Sequence, residues 1–301
     1  MKSEGAKQKV IVIVGPTASG KTALAVEVAR AVGGEVISAD SRQVYRGLDI
    51  GTGKVTKREM KGVPHHLIDV ASPSRVFTAD DFVKQGRKAI TAIVKRGNVP
   101  IIAGGTGFYI DALLGNITLP NVPPNPSLRK KLATLSAPEL FALLKEKDPR
   151  RAEDIDEHNP VRLIRALEIA EAVGASPAPR TESLYEVLWL GIDVPKEVLN
   201  EKIVKRLVAR MKRGMKSEAM HLHAEGLSWR RMEELGLEYR YLARLIQGTL
   251  TKEAFMEELA TEIRRYAKRQ RMYWRRNKDI HWFTPEKLGE VEGAVRGFLG
   301  R

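Results

Sequence analysis

The 301-residue chain has no cysteine, and that absence excludes disulfides, thiolate catalysis and cysteine-ligated zinc in one step. It also lacks any apolar run approaching the length of a membrane span. The opening "MKSEGAKQK" has neither an apolar signal core nor the Arg/Ser-rich character of a presequence, so a cytoplasmic protein with no membrane partner is expected. Internal repeats and low-complexity tracts are missing too. What is abundant is positive charge. The formal net charge is +14 and the pI about 9.9, an excess that suits a polyanionic partner, although a Lys/Arg-rich proteome would produce the same sum.

Five short apolar runs resemble buried strands: "VIVIVG" (10–15), "EVISAD" (35–40), "HHLIDV" (65–70), "VPIIAGG" (99–105) and "LWLGIDV" (188–194). Segments 21–33 and 79–96 between them have helical spacing, and Thr78 with Asp81 form a capping box. Near-continuous apolar strands alternating with helices predict a parallel sheet covered on both faces. The alternation ends near residue 116. The proline-rich "LPNVPPNPS" (119–127) and the flexible "GASPAPRTES" (174–183) bracket a purely helical pattern with turns at Pro138, Pro149 and Pro160. Beyond Lys196 the chain reads as helical until "DIHWF" (279–283), a candidate edge strand. The prediction is an α/β fold, a P-loop NTPase-like parallel sheet core flanked by helices, with an all-helical insertion domain. Residues 1–118 supply the first part of the core, 119–183 the insertion, and 184–301 the rest with basic C-terminal helices.

The chemistry concentrates at strand ends. Gly15, Pro16, Thr17, Ala18, Ser19, Gly20, Lys21 and Thr22 read G-x-x-x-x-G-K-T after a strand and before a helix. That arrangement turns backbone N–H groups and a helix N-terminus toward an anion. Lys21 would neutralise phosphate oxygens and the Thr22 hydroxyl would face Mg²⁺. Pro16 has no N–H to contribute. Asp40, ending the second strand, could bind metal, act as a general base or cap the next element; Ser41 and Gln43 add neutral hydrogen-bonding groups. In "AGGTGFYI" (103–110), Thr106 could donate to a leaving oxygen, or the segment could be a plain strand-to-helix turn. The adjacent His65 and His66 point opposite ways on a strand and read as structural. Through and just before "TEIRRYAKRQRMYWRR" (261–276), Leu259, Ile263, Tyr266, Gln270 and Tyr273 form a packing stripe. Seven basic residues, among them Arg265, Arg269 and Arg271, cover the remaining circumference, which favours contact with a phosphate backbone. Tyr273 and Trp274 suit core packing more than base stacking.

In this order, "GPTASGKT", "ISADSRQVYRGLDIGTGK", "PHHLIDV", "GGTGFYI", "RLIRALEI" and "YAKRQRMYW" resemble the tRNA dimethylallyltransferases, across residues 10–276. The resemblance implies that the cradle holds the pyrophosphate of dimethylallyl diphosphate, with Mg²⁺ as cofactor. It implies transfer of the five-carbon group to N6 of the adenosine immediately 3′ of the anticodon in tRNA. Asp40 then becomes the base, Thr106 the partner of the bridging oxygen, and Arg206, eight positions before Gly214, a further diphosphate contact. It carries tRNA contacts to Asp40, Ser41, Arg42, Gln43 and Thr106, to Arg129, Arg162 and Arg165 of an insertion gripping the anticodon stem-loop, and to the basic helix. "GLEYR" (236–240) stands where many members have Gly-Tyr-Lys, and the missing cysteines, which rule out the zinc finger of some eukaryotic members, favour a bacterial-type enzyme; a monomer is expected. Two alternatives remain. An adenylate isopentenyltransferase shares the first motifs and would have little use for the insertion. An RNA-binding P-loop ATPase would hydrolyse nucleotide in the same loop.

Overall fold

The computed structural model describes residues 7–175, 183–287 and 289–300. They fall into two units. One runs through Leu114 and resumes at Ser183; the other begins at Gly115. Most of the 174–183 stretch lies outside the described residues, as does the start of the chain.

The first unit is a parallel sheet. Its strands are β1 (Lys9–Val14), β2 (Gly34–Ala39), β3 (His65–His66), β4 (Val99–Gly104), β5 (Glu186–Ile192) and β6 (His281–Phe283), in the order β3-β2-β4-β1-β5-β6. Central β1 pairs with β4 through Ile11↔Ile101 and with β5 through Ile11↔Leu188. Val10 to Val14 are all fully buried, because helices cover both faces and leave no side of the strand for polar residues. The run 279–283 is indeed an edge strand, parallel to β5. The run 65–70 is corrected. Only His65 and His66 pair with β2, since Leu67 (φ 61°) and Asp69 (φ 57°) turn into the left-handed region and break the extended backbone.

Flanking this sheet are α1 (Lys21–Val32), α2 (Lys57–Met60), α3 (Ala79–Lys95) and α4 (Gly107–Leu114). The capping box of α3 is present: Asp81 N–H donates to Thr78 Oγ1 (3.1 Å) and Thr78 N–H to Asp81 Oδ2 (2.9 Å). Its buried face carries Phe82, stacked on Tyr109 of α4 with ring centroids 4.5 Å apart. His66 sits 2.6 Å from Glu35, a buried carboxylate that Arg96 holds with two nitrogens (2.8 and 2.7 Å). Arg96 foremost, with Asn98 and His66 and against the cost of burial, keeps Glu35 at about 2. His66 is thus structural, and His65 Nδ1 lies 2.9 Å from Val63 O.

The insertion is α5 (Pro126–Leu132), α6 (Ala137–Lys147), α7 (Pro149–Asp154) and α8 (Pro160–Val173). Each helix has a proline at its first or second position, where the missing N–H would have no partner in any case. Leu132, Leu140, Leu144, Leu163 and Leu167 form its own small core. The first unit is completed by α9 (Lys196–Lys212), α10 (Met215–Ala224), α11 (Trp229–Glu234), α12 (Leu237–Ile246), α13 (Lys252–Trp274) and α14 (Glu290–Leu299).

Candidate active site

Because the strands are parallel, everything at their carboxyl ends meets at one sheet edge. The sheet order then decides who stands beside whom. β4 lies between β1 and β2, so Thr106 stands between the phosphate loop and Asp40. Thr106 N–H donates to Ala39 O (3.1 Å), and Thr106 Oγ1 accepts from Ser41 N–H (3.1 Å). With one lone pair so used, its hydroxyl proton is left to point elsewhere.

The phosphate loop has the expected path. Gly20, at φ 101°, makes the left-handed entry into α1 that a side chain would strain. Lys21 Nζ donates to Pro16 O (2.6 Å), so Pro16, which lacks a donor, contributes an acceptor. Loss of water around the Lys21 ammonium pulls it down to about 7; Asp40 opposes that fall and Arg206 adds to it. Arg206 is likewise drawn down to about 10 by desolvation and by neighbouring Arg210. Two cations crowded together without a carboxylate bonded to either are a ready partner for a polyanion. Ser19 Oγ, buried and without a hydrogen-bond partner among the described residues, lies in the same cradle.

A cavity of about 440 Å³ opens here, lined by Thr17 to Thr22, Asp40, Gln43, Arg206, Tyr266 and Gln270 among others. A second of about 270 Å³ is lined by Arg42, Arg210, Glu238, Arg240 and Arg269. The two share Thr17, Asp40, Thr52 and Tyr266. Asp40 Oδ1 accepts from the N–H groups of Arg42 (2.8 Å) and Gln43 (3.3 Å), which fixes the carboxylate at this junction. Glu238 lies 3.5 Å from Arg210; desolvation foremost raises its carboxyl, Arg210 lowers it and Asp40 raises it further.

The sequence-predicted residues therefore separate into groups. Thr17 to Thr22 of the phosphate loop, Asp40, Gln43 and Arg206 line the larger cavity, while Gly15 and Pro16 are buried behind them; Ser41, Arg42 and Arg269 line the smaller, and Thr106 adjoins both through Ser41 and Gly105. Arg269 is exposed and its guanidinium lies 5.9 Å from the Tyr266 ring centre. Arg265 is exposed and pairs with Glu262 at 2.5 Å. Arg271 departs from the predicted outward face, since it turns inward to Asp193 at 2.5 Å. Trp274 is buried and packs near Trp189, while Tyr273 bonds Asp111. In the insertion, Arg162 is exposed, 3.9 Å from Asp156. Arg129 and Arg165 both hold Glu168: Arg129 by two nitrogens (2.9 and 2.8 Å), Arg165 by one, its other nitrogen donating to Val122 O (2.8 Å).

The pattern did not reveal four cavity residues: Thr52, Arg210, Glu238 and Gln270. Thr52 and Glu238 lie within "ISADSRQVYRGLDIGTGK" and "GLEYR" without standing out there, and Arg210 belongs to no motif. Gln270 left a signal, being an amide in an otherwise apolar stripe.

Among the described residues no group of three or more His, Asp or Glu is placed to hold a metal. Thr22 is exposed at the first turn of α1. A magnesium ion fits there if it shares phosphate oxygens and keeps much of its water, its usual habit.

Fold and site together define a P-loop α/β protein that presents crowded cations and a fixed carboxylate to one cavity. The sequence profile of the family described as IPP transferase matches residues 43–277, and the chain belongs to that family. It is 44% identical over 267 residues to tRNA dimethylallyltransferase 2 of Citrifermentans bemidjiense, covering 89% of this chain and 86% of that protein. The crystal structure of the full-length tRNA isopentenylpyrophosphate transferase of Bacillus halodurans matches with TM-score 0.74 and 35% identity, over 98% of this chain and 97% of that one. A eukaryotic dimethylallyltransferase acting on tRNA matches with TM-score 0.82 and 25% identity, over 96% of this chain and 77% of the other. No helix among the described residues is long and apolar enough to cross a membrane.

Proposed function

We propose that this chain transfers the dimethylallyl group of dimethylallyl diphosphate to N6 of the adenosine immediately 3′ of the anticodon in tRNA. The observation that carries the reading is the junction: two cavities, one facing the phosphate loop and one rimmed by arginines, share Asp40. The donor's diphosphate lies against Lys21, Arg206 and the loop amides. The adenine, turned out of its stack, enters through the arginine-rimmed cavity. The N6–C1 bond forms as the C1–O bond breaks, and the electron pair leaves with pyrophosphate. An aromatic amine is a weak nucleophile, so Asp40 takes the N6 proton as the bond forms, a role worth about 10²–10⁴-fold. Lys21, Arg206 and the Thr106 hydroxyl stabilise the charge gathering on the leaving oxygens. Mg²⁺, held by Thr22 and the phosphates, supplies further charge neutralisation when bound.

The remaining assignments belong to the same reading. Ser41, Arg42 and Gln43 line the adenine's path, and Arg265 with Arg269 meet the RNA backbone. The insertion grips the anticodon stem-loop, and Arg162 is exposed on it. The enzyme works in the cytoplasm as a monomer. Incubation with radiolabelled dimethylallyl diphosphate and either unmodified tRNA or AMP tests the proposal. Label in tRNA, recovered as N6-dimethylallyladenosine from the anticodon loop, is expected. Label in AMP alone would replace the acceptor with a free nucleotide, and RNA-stimulated ATP hydrolysis without prenyl transfer would replace the reaction altogether.

A further inference from the structure

Gln270 sits near the C-terminal end of α13, is only 6% exposed, and is surrounded on its own helix face by Ile263, Ala267 and Trp274, all buried and apolar. A buried carboxamide is costly unless both its ends are satisfied. Here both are, and each partner belongs to the site. Thr17 N–H donates to Gln270 Oε1 (2.8 Å), and Gln270 Nε2 donates to Gly105 O (2.9 Å). One side chain thus spans from the phosphate loop after β1 to the turn after β4 that carries Thr106. Side-chain bonds at both flanks anchor the helix that delivers it, Arg271 to Asp193 beyond β5 and Tyr273 to Asp111 in α4.

We infer that Gln270 is a positioning residue for diphosphate departure, setting the spacing between the phosphate loop and the Thr106 turn by bridging Thr17 N–H and Gly105 O. This rests on the transfer reaction proposed above. Two consequences follow. The Thr17 amide is already committed to Gln270 and the Ser19 amide donates to Pro16 O (3.3 Å), so the amides that face the diphosphate are Ala18 and those from Gly20 onward. Gly105 also has to remain bare: a Cβ there would lie 2.2 Å from Gln270 Nε2, while the next nearest atom of that side chain is 3.4 Å away. A methyl group at Gly105 therefore displaces the carboxamide and little else, which makes it a second, independent way to break the bridge.

The test is a cycle of Gln270→Ala, Gly105→Ala and the double variant in the full chain. Binding of inorganic pyrophosphate with Mg²⁺ is followed by calorimetry, together with kcat and KM for the donor and equilibrium affinity for tRNA. Each single variant should weaken pyrophosphate binding and lower kcat/KM for the donor by at least about fivefold, the scale of one lost neutral hydrogen bond. Affinity for tRNA should stay within about twofold, and the double variant should be no worse than the poorer single, since each change breaks the same bridge. Unchanged pyrophosphate and donor parameters would overturn the inference. So would a parallel loss of tRNA affinity and melting temperature, which marks general packing, and so would multiplied effects in the double. Should Gln270→Ala fail to fold, Gly105→Ala alone decides by the same readouts. If the wild-type protein transfers no prenyl group, the reaction fails, but the pyrophosphate arm still judges the bridge.

Discussion

Two groups of cations in this molecule look alike in the sequence and differ in their surroundings. At the phosphate loop, the partner of Lys21 among the described residues is a neutral carbonyl, that of Pro16, and loss of water lowers its proton affinity to about 7. In the insertion, Arg129 and Arg165 close on Glu168, a carboxylate only 1% exposed that also accepts from Asn125 N–H at 2.5 Å. Burial alone would push Glu168 up; Arg129, Asn125 and Arg165 outweigh it and hold the carboxyl at about 2. A cation whose charge is already answered by a buried carboxylate holds a fold together. One whose charge is unanswered is prepared for an anion from outside. The contrast predicts where substitutions damage function and where they damage stability.

The largest expected effect is on chemistry. Asp40→Asn keeps an acceptor for the Arg42 and Gln43 amides but cannot take a proton, so kcat should fall by about 10²–10⁴-fold with the melting temperature unchanged. A near-normal rate in a single-turnover assay would remove Asp40 from the mechanism. Next comes Glu168→Ala, which strands two half-exposed arginines and the Asn125 amide and should cost the insertion roughly 3 kcal/mol. Thermal melts should record this, while pyrophosphate affinity stays as in the wild type; the reverse pattern would erase the contrast between the two groups. The acid limb of stability should reflect the same carboxylate. Its contribution is complete above the ordinary glutamate value of 4.5 and is lost as pH falls through about 2.

Lys21→Ala should weaken pyrophosphate binding by about 10- to 100-fold, the worth of a charged hydrogen bond, with little change in stability. Unaltered affinity would show the ammonium to be idle. Reversing Arg265 and Arg269 to glutamate should weaken tRNA binding and flatten its salt dependence by about one unit of slope per lost phosphate contact. The same slope in wild type and variant would place the RNA backbone elsewhere. The subtlest effect is a proton. Lys21 in the free protein is protonated below its value of about 7 and increasingly neutral above it, so a bound anion restores the charge with proton uptake. Near pH 8, calorimetry in buffers of different ionisation heat should show that uptake. Lys21→Arg, which stays charged, should lack it, although the pyrophosphate titrates alike in both.

Much of this was legible in advance, for identifiable reasons. β1 and β4 are buried on both faces, so their side chains are apolar without interruption and the runs 10–15 and 99–105 stand out. The loop 15–22 is read easily because Gly15 and Gly20 take a backbone path that disfavours side chains, and Lys21 and Thr22 follow at a fixed spacing. The reading overran at β3, where backbone reversals at Leu67 and Asp69 leave no mark in hydrophobicity. It went astray at Arg271, which is one basic residue among many until Asp193 is seen beside it.

The sequence by itself determined most of the strands, the glycine-bounded turn after β1 and the family, because these depend on interactions among neighbours along the chain or on motifs of fixed spacing. Only the tertiary structure decided which charges are answered, that Arg210, Glu238 and Gln270 belong to the cavities, and that Asp40 stands where the two meet. Those facts depend on the order in which strands lie side by side and on helices arriving from more than a hundred residues away. No local pattern encodes them, since hydrogen bonds and desolvation are set by distance in space.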